Sequence, residues 1–161
     1  MRRLAAWVID VAIVVTLVFA GSVLVRASVG PAVRFSSDSA AVDASRVALN
    51  ALVGTSLSGT YFVGSWVALG ASLGQLALGL AVRNEANGAK LALGRAIARW
   101  ILLFPPLGTL GALTPDLPGI GAFLWASLLP WYAALFLTTA ASAKKQGWHD
   151  RIARSVVVKA G

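Results

Sequence analysis

The stretch RRLAAWVIDVAIVVTLVF, residues 2–19, is a long apolar run behind two arginines, with a carboxylate, Asp10, inside it. As a helix it places Asp10 about 9 Å along the axis from Leu4, at roughly 1.5 Å per residue. A charge at the centre of a membrane span costs roughly 2.5–3.5 kcal/mol, and somewhat less at partial depth. Asp10 must therefore face protein and find a partner, or be protonated. The run continues to Val25, beyond the ~7–15-residue core of a secretory signal, and no small-x-small cleavage site follows in VLVRAS. It reads as a retained helix.

Composition agrees. The chain has 161 residues, 58% hydrophobic and 12% charged, against about 45–50% and about 25% in soluble domains. Its mean hydropathy is +0.78. There is no cysteine, which removes disulfides and thiolate chemistry. The net charge of +8 fits basic loops beside anionic lipid better than nucleic-acid binding.

A bilayer core about 30 Å thick needs ~20 apolar residues per helix. Four segments qualify, at about 4–25, 47–69, 96–113 and 119–141, within one domain covering 1–161. The sequence thus predicts an all-α membrane protein, a bundle of four transmembrane helices. Segments 70–95 and 142–161 lie on one side and carry, with the start of the chain, Arg2, Arg3, Arg83, Lys90, Arg95, Arg99, Lys144, Lys145, Arg151, Arg154 and Lys159. The other side has Arg26, Arg34 and Arg46, offset by Asp38, Asp43 and Asp116. The bias puts both termini in the cytoplasm. Trp7, Trp66, Trp100 and Trp148 fall near the cytoplasmic ends, where indoles favour the interface. Trp125 and Trp131 lie deeper and read as packing residues.

Gly54, Ser58, Gly59 and Gly64 make the second span easy to approach closely. Packing within the chain is the simpler use of them; a face for a membrane partner or a second copy is the alternative. Pro105 and Pro106 are expected to bend or end the third span, and Pro130 to kink the fourth. Ser72 and Gln75 have capping-box spacing, which predicts a short interfacial helix. LGLAV, residues 78–82, and RSVVVKA, residues 154–160, are expected to pair as a small cytoplasmic two-stranded β ribbon.

Arg99 sits at a depth similar to that of Asp10, on a neighbouring span. The expected partner of Asp10 is therefore Arg99, in an ion pair or in a short network that includes Arg3, which shares Asp10's helix face seven residues earlier. Arg95 stacks one turn before Arg99. Asp150 has two readings: a helix cap or an Arg154 partner, or a salt bridge to Arg3 or Arg95 that ties the C-terminal segment to the membrane domain. His149, the single histidine, reads as an interfacial polar residue, and alone it excludes a histidine-based metal site within one chain.

At these residues the chain resembles the RDD family of membrane proteins. RRLAAWVID supplies the family's arginine at Arg3 and its first aspartate at Asp10. GWHDRIARSVVV supplies the second at Asp150. GASLGQLALGLAV, with Gly70 and Gly74, is similar to the family's glycine-rich middle, and LGRAIARW to the arginine-bearing span after it. Gln75 stands where the family pattern has a lysine. The resemblance implies a multi-pass protein of the cell membrane, of the bacterial inner-membrane type, and transport of a small solute, cation or proton. An accessory or structural subunit of a larger membrane complex is the alternative. No enzyme motif is present: no phosphate loop with its lysine, no triad, and no cofactor-binding pattern.

Overall fold

The computed structural model describes residues 2–35, 40–104, 110, 118–143 and 145–160. Helix α1, Arg2–Val29, is the opening apolar run, extended at both ends. At about 1.5 Å per residue its 28 residues reach roughly 42 Å, enough for a hydrocarbon core and both interfaces. A small hairpin follows, β1 (Val33–Phe35) against antiparallel β2 (Ala40–Val42). Helix α2, Ala44–Ala68, starts where Asp43 caps it by accepting from the Arg46 N–H at 3.2 Å. Arg46 also donates to the Pro31 carbonyl at 3.1 Å, holding the hairpin at the head of α2.

The short helix and the ribbon expected outside the spans are present. Helix α3, Leu73–Ala77, begins at the Ser72/Gln75 capping box. Strand β3, Leu80–Asn84, pairs with β4, Ser155–Lys159, in the expected two-stranded ribbon; the pairing is antiparallel, with Val82 opposite Val157. Between them come α4 (Leu93–Leu103), α5 (Pro118–Ala141) and α6 (Trp148–Ile152). Helix α5 runs through Pro130 without ending. The Pro105–Pro106 bend, Asp38 and the turn holding Asp116 lie outside the described residues.

Two of the four expected spans, α1 and α5, are helices long and apolar enough to cross a membrane. Helix α2 has the length, but glycine, serine and threonine dilute its apolarity. Helix α4 is described for 11 residues.

Small residues on α1 and α2 are used inside the chain. Gly21 faces Leu57 and Val53, Gly54 faces Val18, and Gly59 lies under the Trp100 ring of α4. The tightest core sits at one end of the bundle, where the ribbon meets the helices. Ala6, Phe62, Trp66, Leu80, Val82, Leu91, Ala96 and Val157 form it, and Phe62 stacks on Phe104 with ring centroids 4.5 Å apart. Trp66 and Trp100, expected at the lipid interface, pack inward instead, Trp66 fully buried. Trp7 and Trp148 stay exposed.

A two-stranded ribbon is marginal alone, and its outer edge offers unpaired carbonyls. Arg3 Nη2 donates to the Val157 carbonyl at 2.7 Å, and Gln146 Nε2 to the Ser155 carbonyl at 3.0 Å. Arg3 Nη1 also donates to the Lys145 carbonyl at 2.6 Å. The start of the chain thereby clips its last strand. Replacing Arg3 with Gln should cost about 1.5–3 kcal/mol, the range for charged hydrogen bonds. Limited proteolysis should then cut the C-terminal segment faster, with the thermal transition lowered.

Candidate functional site

The motif residues converge at the ribbon end of the bundle, in two adjoining clusters. The first surrounds Asp10, which is 3% exposed. Its Oδ1 accepts from the Tyr61 hydroxyl at 2.6 Å and from the Gly74 N–H at 2.8 Å. Its Oδ2 accepts from the Ser72 hydroxyl at 2.5 Å. The Gly74 N–H belongs to the first turn of α3, where backbone donors lack helical acceptors, so Asp10 caps that turn from another helix. Glycine is required at 74. A Cβ there would collide with the Ala6 carbonyl and lie 2.9 Å from the Asp10 carboxylate. Gly70 has a φ of +76° and carries the Arg83 guanidinium against it. Its carbonyl accepts from the Val82 N–H at 2.7 Å and Arg83 Nη1 at 3.0 Å, anchoring β3.

The second cluster surrounds Arg99, also 3% exposed. Its Nη1 forms an ion pair with Asp150 Oδ1 and donates to Ser155 Oγ at 2.6 Å. The Ser155 hydroxyl lies 3.1 Å from Asp150 Oδ1. The guanidinium carbon stands 4.9 Å from the centroid of the Trp66 ring, a cation–π contact. Gln75 links the clusters: its Oε1 accepts from the Ser72 N–H at 2.9 Å and from Trp66 Nε1 at 3.2 Å.

The expected Asp10–Arg99 ion pair is therefore not formed. Similar depth did not make them neighbours: Asp10 faces α2 and α3, and Arg99 faces α6 and β4. Arg3 joins neither carboxylate but holds backbone carbonyls. Asp150 does tie the C-terminal segment to the helices, through Arg99 rather than Arg3 or Arg95, and it is neither cap nor Arg154 partner. Gly147 caps α6, and Arg154 is an exposed residue with a φ of 48°. Arg95 is half-buried, with its Nη1 unbonded among the described residues.

The reading from sequence missed Tyr61, Ser155 and the burial of His149. Tyr61 is legible in hindsight as a polar tip in an apolar span. His149 is 8% exposed, its Nε2 3.4 Å from Asp150 Oδ2 and its Nδ1 unbonded among the described residues. Burial, reinforced by the nearby Arg99 and opposed by Asp150, holds the imidazole down at about 4.

Two outcomes follow. Removing one partner of a buried ion pair leaves the other uncompensated and costs about 3–5 kcal/mol, whereas an apolar replacement of both is often tolerated. Arg99→Met alone and Asp150→Leu alone should each cause a large fall in the thermal transition, and the double variant should recover much of it. Second, between the ordinary histidine range and about 4 the unfolded chain binds a proton that folded His149 refuses. Stability should fall as pH drops from about 6.5 towards 4, by up to about 3 kcal/mol at ~1.36 kcal/mol per pH unit. His149→Gln should flatten that slope in pH-dependent melts.

Asp10 and Arg99 can do different chemistry. Arg99 is neutralised in a closed pair. Among the described residues Asp10 meets neutral donors only, two of them hydroxyls that can rotate to accept. The RDD family model matches residues 1–154, taking in Arg3, Asp10, Arg99 and Asp150. No curated protein and no solved structure matches the chain. Coverage of nearly the whole sequence, joined to two helices fit to cross a bilayer, makes the chain a member of the RDD family of membrane proteins.

Proposed function

We propose that this RDD protein crosses the cell membrane with four helices and both termini cytoplasmic, and that it exchanges a small cation for a proton at Asp10. It is not an enzyme in this reading and needs no cofactor. The carrying observation is the Asp10 cage: a buried carboxylate held by Tyr61, Ser72 and Gly74 with no cation beside it among the described residues. An Asp–Arg pair would have been a static neutral strut. Asp10 instead keeps a carboxylate that a proton or a monovalent cation can neutralise in turn, and charge at this depth marks ion paths. When a cation arrives, the proton leaves, and the two hydroxyls turn their lone pairs towards it.

The pattern of α4 supports a third span. Leu93, Ile97 and Ile101 recur at every fourth position and are exposed, while Arg99 on the same helix is buried. That reverses the arrangement of a soluble surface helix and suits lipid. The strong basic bias of the ribbon end supports the cytoplasmic placement.

A second reading, an accessory subunit, has one observation in its favour. Gly64 of α2 is exposed, and a Cβ there would meet nothing within 4 Å. A bare backbone on a spanning helix admits a close partner helix. The test is reconstitution in liposomes, following internal pH under sodium and potassium gradients. Wild type should carry flux. Asp10→Asn, whose amide oxygen can still serve Gly74, should fold and carry none. Absence of flux from folded, inserted wild type would reject exchange. A Gly64→Cys variant, in a chain with no native cysteine, would then report pairing between copies by crosslinking.

A further inference from the structure

Helix α6 has two faces with different tasks. One holds His149 and Asp150, buried against α4. The other holds Trp148, 47% exposed, and Ile152, 63% exposed, four residues apart and so on one side of the helix. Arg151 is exposed beside them. The same five residues thus bury an aspartate and leave a tryptophan and an isoleucine together in the open.

The level of this face is fixed by the two helices that can cross a bilayer. Helix α5 ends at Ala141, six residues before Gly147 caps α6. Arg3, at the start of α1, donates to the Lys145 carbonyl in that short connection. Helix α6 therefore lies where both crossing helices leave the hydrocarbon. An indole prefers that depth, and a guanidinium beside it reaches the headgroups. Charge points the same way. Arg2, Lys145, Arg154 and Lys159 are also exposed at this end, against Glu85 beside Arg154. Asp150, the acid within α6 itself, is already neutralised by Arg99.

We propose that the Trp148–Arg151–Ile152 face of α6 is a docking surface for anionic phospholipid in the leaflet that meets the basic end of the molecule. Trp148 and Ile152 enter between acyl chains just below the headgroups, and Arg151 binds the lipid phosphate. The inference rests on membrane placement alone and stands whether or not Asp10 exchanges ions.

The full chain would be placed in phosphatidylcholine nanodiscs containing phosphatidylglycerol, with a spin label on the shallow acyl position of one lipid or the other. The signal is the fluorescence quenching lost on Trp148→Phe, which isolates this indole from the other five. Labelled phosphatidylglycerol should quench Trp148 more than labelled phosphatidylcholine at equal mole fraction. Arg151→Gln should cut the preference about fivefold, the factor for one basic residue at an anionic surface. Salt at about 1 M, where screening acts over roughly 3 Å, should remove it. Equal quenching by both labels, or a preference unchanged in Arg151→Gln, would overturn the proposal. So would displacement of the labelled lipid by millimolar inorganic phosphate, which would make the site one for free anions.

Discussion

The structure depends on a guanidinium that has left water. Arg99 is buried on α4, and taking such a group out of solvent costs several kcal/mol before any partner is counted. Its partners come from distant sequence: Asp150 and Ser155 from the C-terminal segment, the Trp66 face from α2. The Asp150 and Ser155 contacts form only when the C-terminal segment returns to the helices. The price of burying Arg99 is thus also what enforces the fold, since an unpaired Arg99 would be worse than an open ribbon. Arg3 adds a second constraint on the same segment, from the first turn of α1.

Two buried carboxylates lie close together in this end of the bundle and are handled differently. Asp150 is matched by a cation, and its charge does structural work only. Asp10 is matched by dipoles, from two hydroxyls and a backbone N–H that the absence of a Cβ at Gly74 brings into reach. Hydrogen bonds hold a carboxylate in place without cancelling its charge. Because Arg99 pairs with Asp150, Asp10 is held by dipoles alone among the described residues.

Local signals carried much of this into the sequence. The apolar run of α1, the Ser72–Gln75 box and the β-branched Val156–Val158 run each specify an element through contacts within a few residues, and each was read correctly. Pairing across the bundle was not legible, because depth along a helix can be counted and azimuth around it cannot. Asp10 and Arg99 matched in depth and differ in facing. The β1–β2 hairpin escaped for a different reason: its strands are three residues each, too short for alternation to register. His149 was misread through its neighbour. Trp148 is exposed, and adjacent residues of a helix point to different sides, so an exposed indole argues for a buried imidazole rather than against it.

The placement of the polar clusters at one end of the spans has its own logic. Cost falls as a charge moves from the bilayer centre to the interface, so the ribbon end is where Asp10, Arg99 and Asp150 can be buried most cheaply. It is also where the soluble-type core of Phe62, Trp66, Val82 and Val157 forms. Away from that end, α1 exposes Val15 and Phe19, and α5 exposes Phe123 and Leu129. Those side chains gain nothing from the protein and are stabilised by lipid. The molecule is therefore held by two solvents, a packed cytoplasmic-type core at its basic end and the hydrocarbon around its helices. Helix α1 belongs to both, burying Ala6 and Asp10 at the packed end and exposing Val15 and Phe19 beyond it.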